Sequence, residues 1–140
     1  MSHALESLNP LAVLAVAAVG FILGGLWYSP LLFVKSWMAE AKITPEMWKS
    51  KPGRGPVLMG LTAVMTLIST TTLAMFIAET YTNGAFKGAE YGFALGVGLV
   101  ATRHATNNFF ELKSVKHFAI VSGYDVLLFT VQGAILGVWR

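Results

Sequence analysis

Cysteine is absent from the 140 residues, which excludes disulfides, thiolate metal sites and cysteine nucleophiles together. Charge is scarce as well. Asp, Glu, Lys and Arg make up 12% of the chain, about half the share of an average soluble domain, so a soluble fold of this size would lack the polar surface to solvate itself. Two long stretches carry no charge at all, the 28 residues from Ser7 to Val34 and the 24 residues from Gly55 to Ala78. A hydrocarbon core about 30 Å thick is crossed by roughly 20 apolar residues in helix, which bonds every backbone polar group within its own segment. Both stretches exceed that length, and the class they imply is an integral membrane protein. A hydrophobic share of 55% and a mean hydropathy of +0.63 agree.

The chain length allows about four crossings and no separate soluble domain. The expectation is one all-α transmembrane domain over residues 1–140, a four-helix bundle with crossings near 8–33, 57–78, 89–110 and 118–139 and a cytoplasmic loop near 35–54. A cleavable signal peptide fits the first segment poorly, since Met1 to Ser7 hold no Lys or Arg and the apolar run far exceeds a signal core of about 7–15 residues. Charge interrupts the last two crossings, at Arg103 and His104 and at Asp125; length and flanking apolarity still argue for helix.

Lys and Arg are distributed unevenly. Eight lie in the connection from Lys35 to Arg54 and the stretch from Arg103 to His117, whereas the opposite side has only Lys87 and Arg140. The positive-inside rule therefore places both termini outside and both basic connections in the cytoplasm. A pI near 9.3 follows from that topology and from contact with anionic lipid, and nucleic acid is not an expected partner. Within the first connection, Thr44, Pro45 and Glu46 read as an N-cap, a first-position proline and a first-turn acid. They open a short interfacial helix from Pro45 to Lys51 that breaks at Pro52 and Gly53.

Glycines four residues apart mark close helix contacts: Gly20 and Gly24, then Gly88, Gly92 and Gly96, then Gly133 and Gly137. They serve packing inside the bundle or the face of a homo-oligomer or membrane-protein partner, and the pattern leaves both open. Thr62, Thr66, Ser69 and Thr70 draw a hydroxyl stripe along the second crossing, where hydroxyls commonly bond carbonyls one turn back.

Chemistry, if present, concentrates in the last two crossings. Arg103 and Asp125 each lie seven residues into the membrane, counted from Phe110 and Phe118, which is about 10 Å at 1.5 Å per residue. A hairpin centred near Ser114 sets them at equal depth, and pairing is the natural resolution for two charges there. Asn107 and Glu111 continue the stripe from Arg103, with His104 and Asn108 beside it. Either Arg103 and Asp125 form a register-fixing pair supported by Asn107 and Tyr124, or the same groups line a cytoplasm-facing pocket for a polar solute, anion or proton. Gln132 shares the Asp125 face and either extends a polar track outward or bonds one of the threonines. No metal-binding, phosphate-loop or catalytic-triad pattern is present, so no enzyme activity, metal or cofactor is expected. A haem held by two of His3, His104 and His117 is excluded by their different depths.

The run Trp27-Tyr28-Ser29-Pro30-Leu31-Leu32-Phe33 with Lys35 and Trp37, together with Gly123-Tyr124, Gly133-Ala134-Ile135-Leu136 and Trp139, resembles a family of small bacterial four-helix membrane proteins of unknown function. The resemblance implies a four-span fold in a bacterial inner membrane and no activity to carry over. This chain departs from it at Val34, where members carry Gly, and at Asp125, where members carry His; a family chemistry that used that imidazole would not extend here. On the residues themselves, Trp27, Tyr28, Pro30, Lys35 and Trp37 form an interfacial anchor, or the carbonyls freed before Pro30 line a ligand site near Arg103. Two function classes follow: binding or passage of a small polar or anionic solute at the cytoplasmic-side cluster, and a non-catalytic assembly or structural subunit of a membrane complex.

Overall fold

The computed structural model describes residues 8–51 and 53–139. The expected break at Pro52, the segment Met1 to Ser7 and Arg140 lie outside the described residues. Asn9 opens the first helix: its side-chain oxygen accepts from the N–H groups of Leu11 (3.0 Å) and Ala12 (3.3 Å), and Pro10 takes the first position, where no donor is needed. Helix α1 spans Pro10–Trp27 and ends six residues before the expected boundary at Phe33. Pro30 supplies no N–H to the Leu26 carbonyl and disfavours helical geometry at Ser29. The turn takes over the freed groups. Ser29 N–H donates to Leu26 O (3.1 Å), Phe33 N–H to Trp27 O (3.0 Å) and Leu31 N–H to Ser29 Oγ (3.2 Å). The Leu26 carbonyl that Pro30 frees is thus taken by Ser29 N–H.

Two short helices follow, α2 (Val34–Glu40) and α3 (Pro45–Lys49). The second has the expected cap, with Thr44 Oγ1 accepting from Met47 N–H at 3.4 Å. Gly53, at a φ of +86° that disfavours a side chain, then redirects the chain into α4 (Arg54–Glu79). The expected third crossing is a continuous helical path of three pieces: α5 (Ala85–Leu95), a π-helical segment (Gly96–Ala101) and α6 (Thr102–Phe110). Ser114 Oγ caps α7 (Val115–Leu136) by accepting from His117 N–H at 3.0 Å. Every regular element among the described residues is a helix.

Three helices, α1, α4 and α7, are each long and apolar enough to cross a membrane. The fourth expected crossing has the length only as a composite, because its π-helical segment divides it. Apolar side chains face outward throughout, among them Leu11, Leu14 and Ile22 on α1 and Met59, Leu61 and Ile68 on α4. Such a surface suits lipid and matches the architecture of an integral membrane protein.

Helix α7 is the hub, touching every helix except α3. Its closest partner is α5, and the contact is backbone to backbone. A Cβ built on Gly88 would collide with the Gly133 carbonyl, one on Gly92 with the Phe129 carbonyl, and one on Gly137 would lie 2.5 Å from Gly84 O. Gly84 N–H donates to Gly137 O (2.8 Å) where this seam ends. The glycines of α1 act differently. A Cβ on Gly20 would meet Gln132 Nε2 at 2.6 Å and one on Gly24 would meet Tyr124 Oη at 2.7 Å, so these two make room for side chains of α7.

The apolar core, Val13, Val16, Leu73, Ala74, Ile77 and Leu136, gathers the start of α1 and the ends of α4 and α7. Gln132 is fully buried beside it and ties the three helices, its Nε2 donating to Thr70 Oγ1 (2.8 Å) and Val16 O (3.4 Å) while Thr70 Oγ1 donates to Thr66 O (2.7 Å). At the opposite end, α4 has no buried residue before Thr66. The bundle is thus tightly packed at one end and loose at the other, and the loose end carries the polar groups.

Gly88→Ala or Gly133→Ala should destabilise the protein by about 1–3 kcal/mol, since backbone cannot yield as a side chain does. Gly60→Ala, in α4 with open space around it, should be neutral or stabilise by about 0.5–1 kcal/mol. Unfolding midpoints in detergent, followed by helical circular dichroism, decide this, and equal effects at the two sites would refute the seam.

Candidate functional site

Asp125, the only aspartate of the chain, is the centre of the polar cluster. Its partner is His104: imidazole Nε2 lies 2.7 Å from Asp125 Oδ2. Arg103, expected there from depth, is exposed and has no hydrogen bond or ion pair among the described residues. The cause is rotational. Gly88, Gly92 and Gly96 set the face of α5 against α7, and in an unbroken α-helix the residue two turns beyond Gly96 is Arg103. The π-helical segment begins at Gly96 and widens its turns to i→i+5 bonding, in effect inserting one residue. Facing α7 two turns later is therefore His104, and one turn beyond it Asn108. At about 100° per residue, that single insertion turns Arg103 off the seam.

Asn108 is buried and organises the α6–α7 turn. Its Nδ2 donates to the carbonyls of Lys113 and Ser114 (both 3.1 Å), and its Oδ1 lies 3.2 Å from His117 Nδ1. Because the amide oxygen only accepts, His117 Nδ1 carries the proton, and in the neutral ring Nε2 keeps its lone pair. His104, Asn107, Asn108, Glu111, Lys113 and His117 line a pocket of about 200 Å³ between α6 and α7, with Phe118 and Val121 as its apolar wall. Asn107 itself is exposed at the rim. A larger groove of about 510 Å³, lined by residues including Phe93, Ala101, Phe118 and Val126, is apolar and holds no ionisable group.

The aromatic motif folds back on α7. Trp27 Nε1 donates to Ile120 O at 3.1 Å. Tyr28 packs edge-on against both Trp37 and Tyr124, with ring centroids 5.5 Å apart in each pair, and Trp27 packs on Phe33 at 4.5 Å. Tyr124 Oη reaches Gly20 O at 3.4 Å. Trp27, Tyr28 and Trp37 are half-buried against the bundle, while Pro30 and Lys35 are exposed. The motif is an internal clamp between α1 and α7. Gln132 lies in the interhelical core, bonded to Thr70, two turns from Asp125.

Residues 11–137 match the family described as "Protein of unknown function (DUF1761)". The chain belongs to that family. The match covers all of the pocket, the seam and the aromatic clamp, so these are features of a DUF1761 domain; the family description assigns no activity to them. No curated protein and no solved structure matches the chain.

The depth count paired Asp125 with Arg103, and the structure brings the adjacent His104 to Asp125. Asn108 and His117 carry geometry that the sequence reading did not assign. The signal for Asn108 was its place one helical turn after His104, on the same face. His104→Gln and Asp125→Asn should be non-additive by about 1 kcal/mol or more in a stability cycle, whereas Arg103→Gln and Asp125→Asn should add to within about 0.5 kcal/mol. The reverse order of coupling would mean that Arg103 holds Asp125.

Proposed function

We propose that this chain binds, and passes toward the membrane interior, a small polar or anionic solute at the pocket between α6 and α7, in a four-crossing topology with both basic connections in the cytoplasm. One observation carries the reading: Asp125, within a helix long and apolar enough to cross a membrane, is paired with His104 of the composite helix beside a pocket with polar walls. Ionisable groups at such depth are costly to keep and lean toward solute or proton pathways. Asn108 and His117 hold fixed donor and acceptor positions around the same space, as a selective site requires. The volume suits a solute of a few heavy atoms, about the size of a phosphate or a short carboxylate.

Two further features support the topology. The Lys35–Arg54 connection and the α6–α7 turn meet at one end, where the Glu40 carboxylate accepts from Ser114 Oγ. The composite helix packs along α7, from Gly84 beside Gly137 to the turn at Ser114, next to a helix that suffices for a crossing. An assembly role draws no support from the glycine faces, because Gly20, Gly24, Gly88, Gly92, Gly96, Gly133 and Gly137 are all covered by this same chain.

Native mass spectrometry of the protein in a mild detergent tests the reading. A reproducible small-molecule adduct is expected on the wild type. Losing one charge-assisted hydrogen bond should weaken its retention by roughly tenfold or more in a folded His104→Gln variant. A wild-type protein that is always bare, or an adduct indifferent to His104→Gln, would sink the proposal.

A further inference from the structure

The end of the bundle bearing the α6–α7 turn has a surface that neither bulk phase accommodates. Phe109, Phe110, Leu112 and Val115 are 72%, 87%, 92% and 80% exposed, four large apolar side chains around one turn. Lys113, Lys116 and Glu111 are interleaved with them, and the backbone turns here, so hydrocarbon is equally excluded. The headgroup boundary accepts both, with rings lowered toward the acyl chains and ammonium groups raised.

The strap that runs from α2 to α3 starts beside this turn. Glu40 bonds Ser114 and approaches Lys116 Nζ at 3.9 Å, which pins α2 beside the turn. Farther along, Met47 and Trp48 are exposed next to Lys49 and Lys51. Cations outnumber acids at this end: Glu40 lies near Lys116, Glu111 pairs with Lys113, whose hydrogen bond holds that carboxyl below the usual range, and Glu46 is the one acid of α3, beside Lys49 and Lys51. Arg103 is a cation without a protein partner among the described residues, turned off the helix seam by the π-helical segment.

We infer that this end is a docking surface for anionic phospholipid headgroups. Arg103, seven residues from the end of its helix, reaches lipid phosphates by extending its long side chain toward the turn, and Lys116, no closer than 3.9 Å to Glu40, meets them there. Lys49 and Lys51 meet them from the strap, while Phe110 and Leu112 seat among the acyl chains. Charge complementarity names the occupant: a zwitterionic headgroup brings no net charge to offset these cations, and an anionic one does.

The test uses the full chain in mild detergent, mixed with equal amounts of phosphatidylglycerol and phosphatidylcholine of identical acyl chains and read by native mass spectrometry. Wild type should retain phosphatidylglycerol several-fold over phosphatidylcholine. Arg103→Gln/Lys116→Gln should reduce that preference by about fivefold or more, at the rough strength of one cation near an anionic surface. Lys49→Gln/Lys51→Gln, at exposed positions outside the bundle, should reduce it too, and carries the test if the first variant fails to fold. Equal retention of both lipids by wild type, or a preference unchanged in the folded variants, overturns the inference and leaves this face to a protein partner or to none. Neither pair lines the solute pocket, so failure here and failure of the His104-dependent adduct are separate results.

Discussion

The fold depends on one contact, the glycine seam between α5 and α7. Where two helices meet through Gly88, Gly92, Gly133 and Gly137, carbonyls of one backbone occupy space that any side chain would claim. In lipid, apolar burial supplies little net drive between helices, and the gain comes from dispersion at short range and from satisfied polar groups. A seam this close fixes axial rotation and register together. It also makes α7 the central helix, against which α1 and α4 settle through larger side chains. Gly20 and Gly24 serve the second arrangement, admitting the polar tips of Gln132 and Tyr124 where the first arrangement admits backbone.

Holding α5 against α7 has a consequence one turn later. A straight α-helix leaves any fixed seam as it continues, because 3.6 residues per turn does not match a four-residue repeat. The π-helical segment after α5 absorbs that drift, and His104 and Asn108 stay on the seam in α6. Arg103 and His104 are adjacent and equally deep, so depth could not choose between them. One inserted residue decides which side chain meets Asp125 and which is turned outward.

Unequal packing explains why polar groups collect at one end. Near the start of α1, the apolar core and the Gln132 bonds close the bundle. Near the α6–α7 turn, α4 contributes no buried residue, and the space is filled by the Trp27–Trp37 clamp, the His104–Asp125 pair and the Asn108 bonds. Polar side chains suit this end because fixed hydrogen bonds supply the order that apolar packing does not.

By itself the sequence determined the apolar, membrane-length α1, α4 and α7 segments, the hairpin centred near Ser114 and the Thr44 cap. Each rests on properties local to a segment: apolar length and capping chemistry. Tertiary structure alone decided the early end of α1, where the turn consumes the carbonyls freed by Pro30, and the inward folding of Trp27, Tyr28 and Trp37. It alone decided that the two glycine classes do different work and that His104, rather than Arg103, reaches Asp125. These are questions of azimuth about a helix axis. Azimuth is set by contacts between segments distant in sequence, and a π-helical insertion that changes it leaves no mark in composition or spacing.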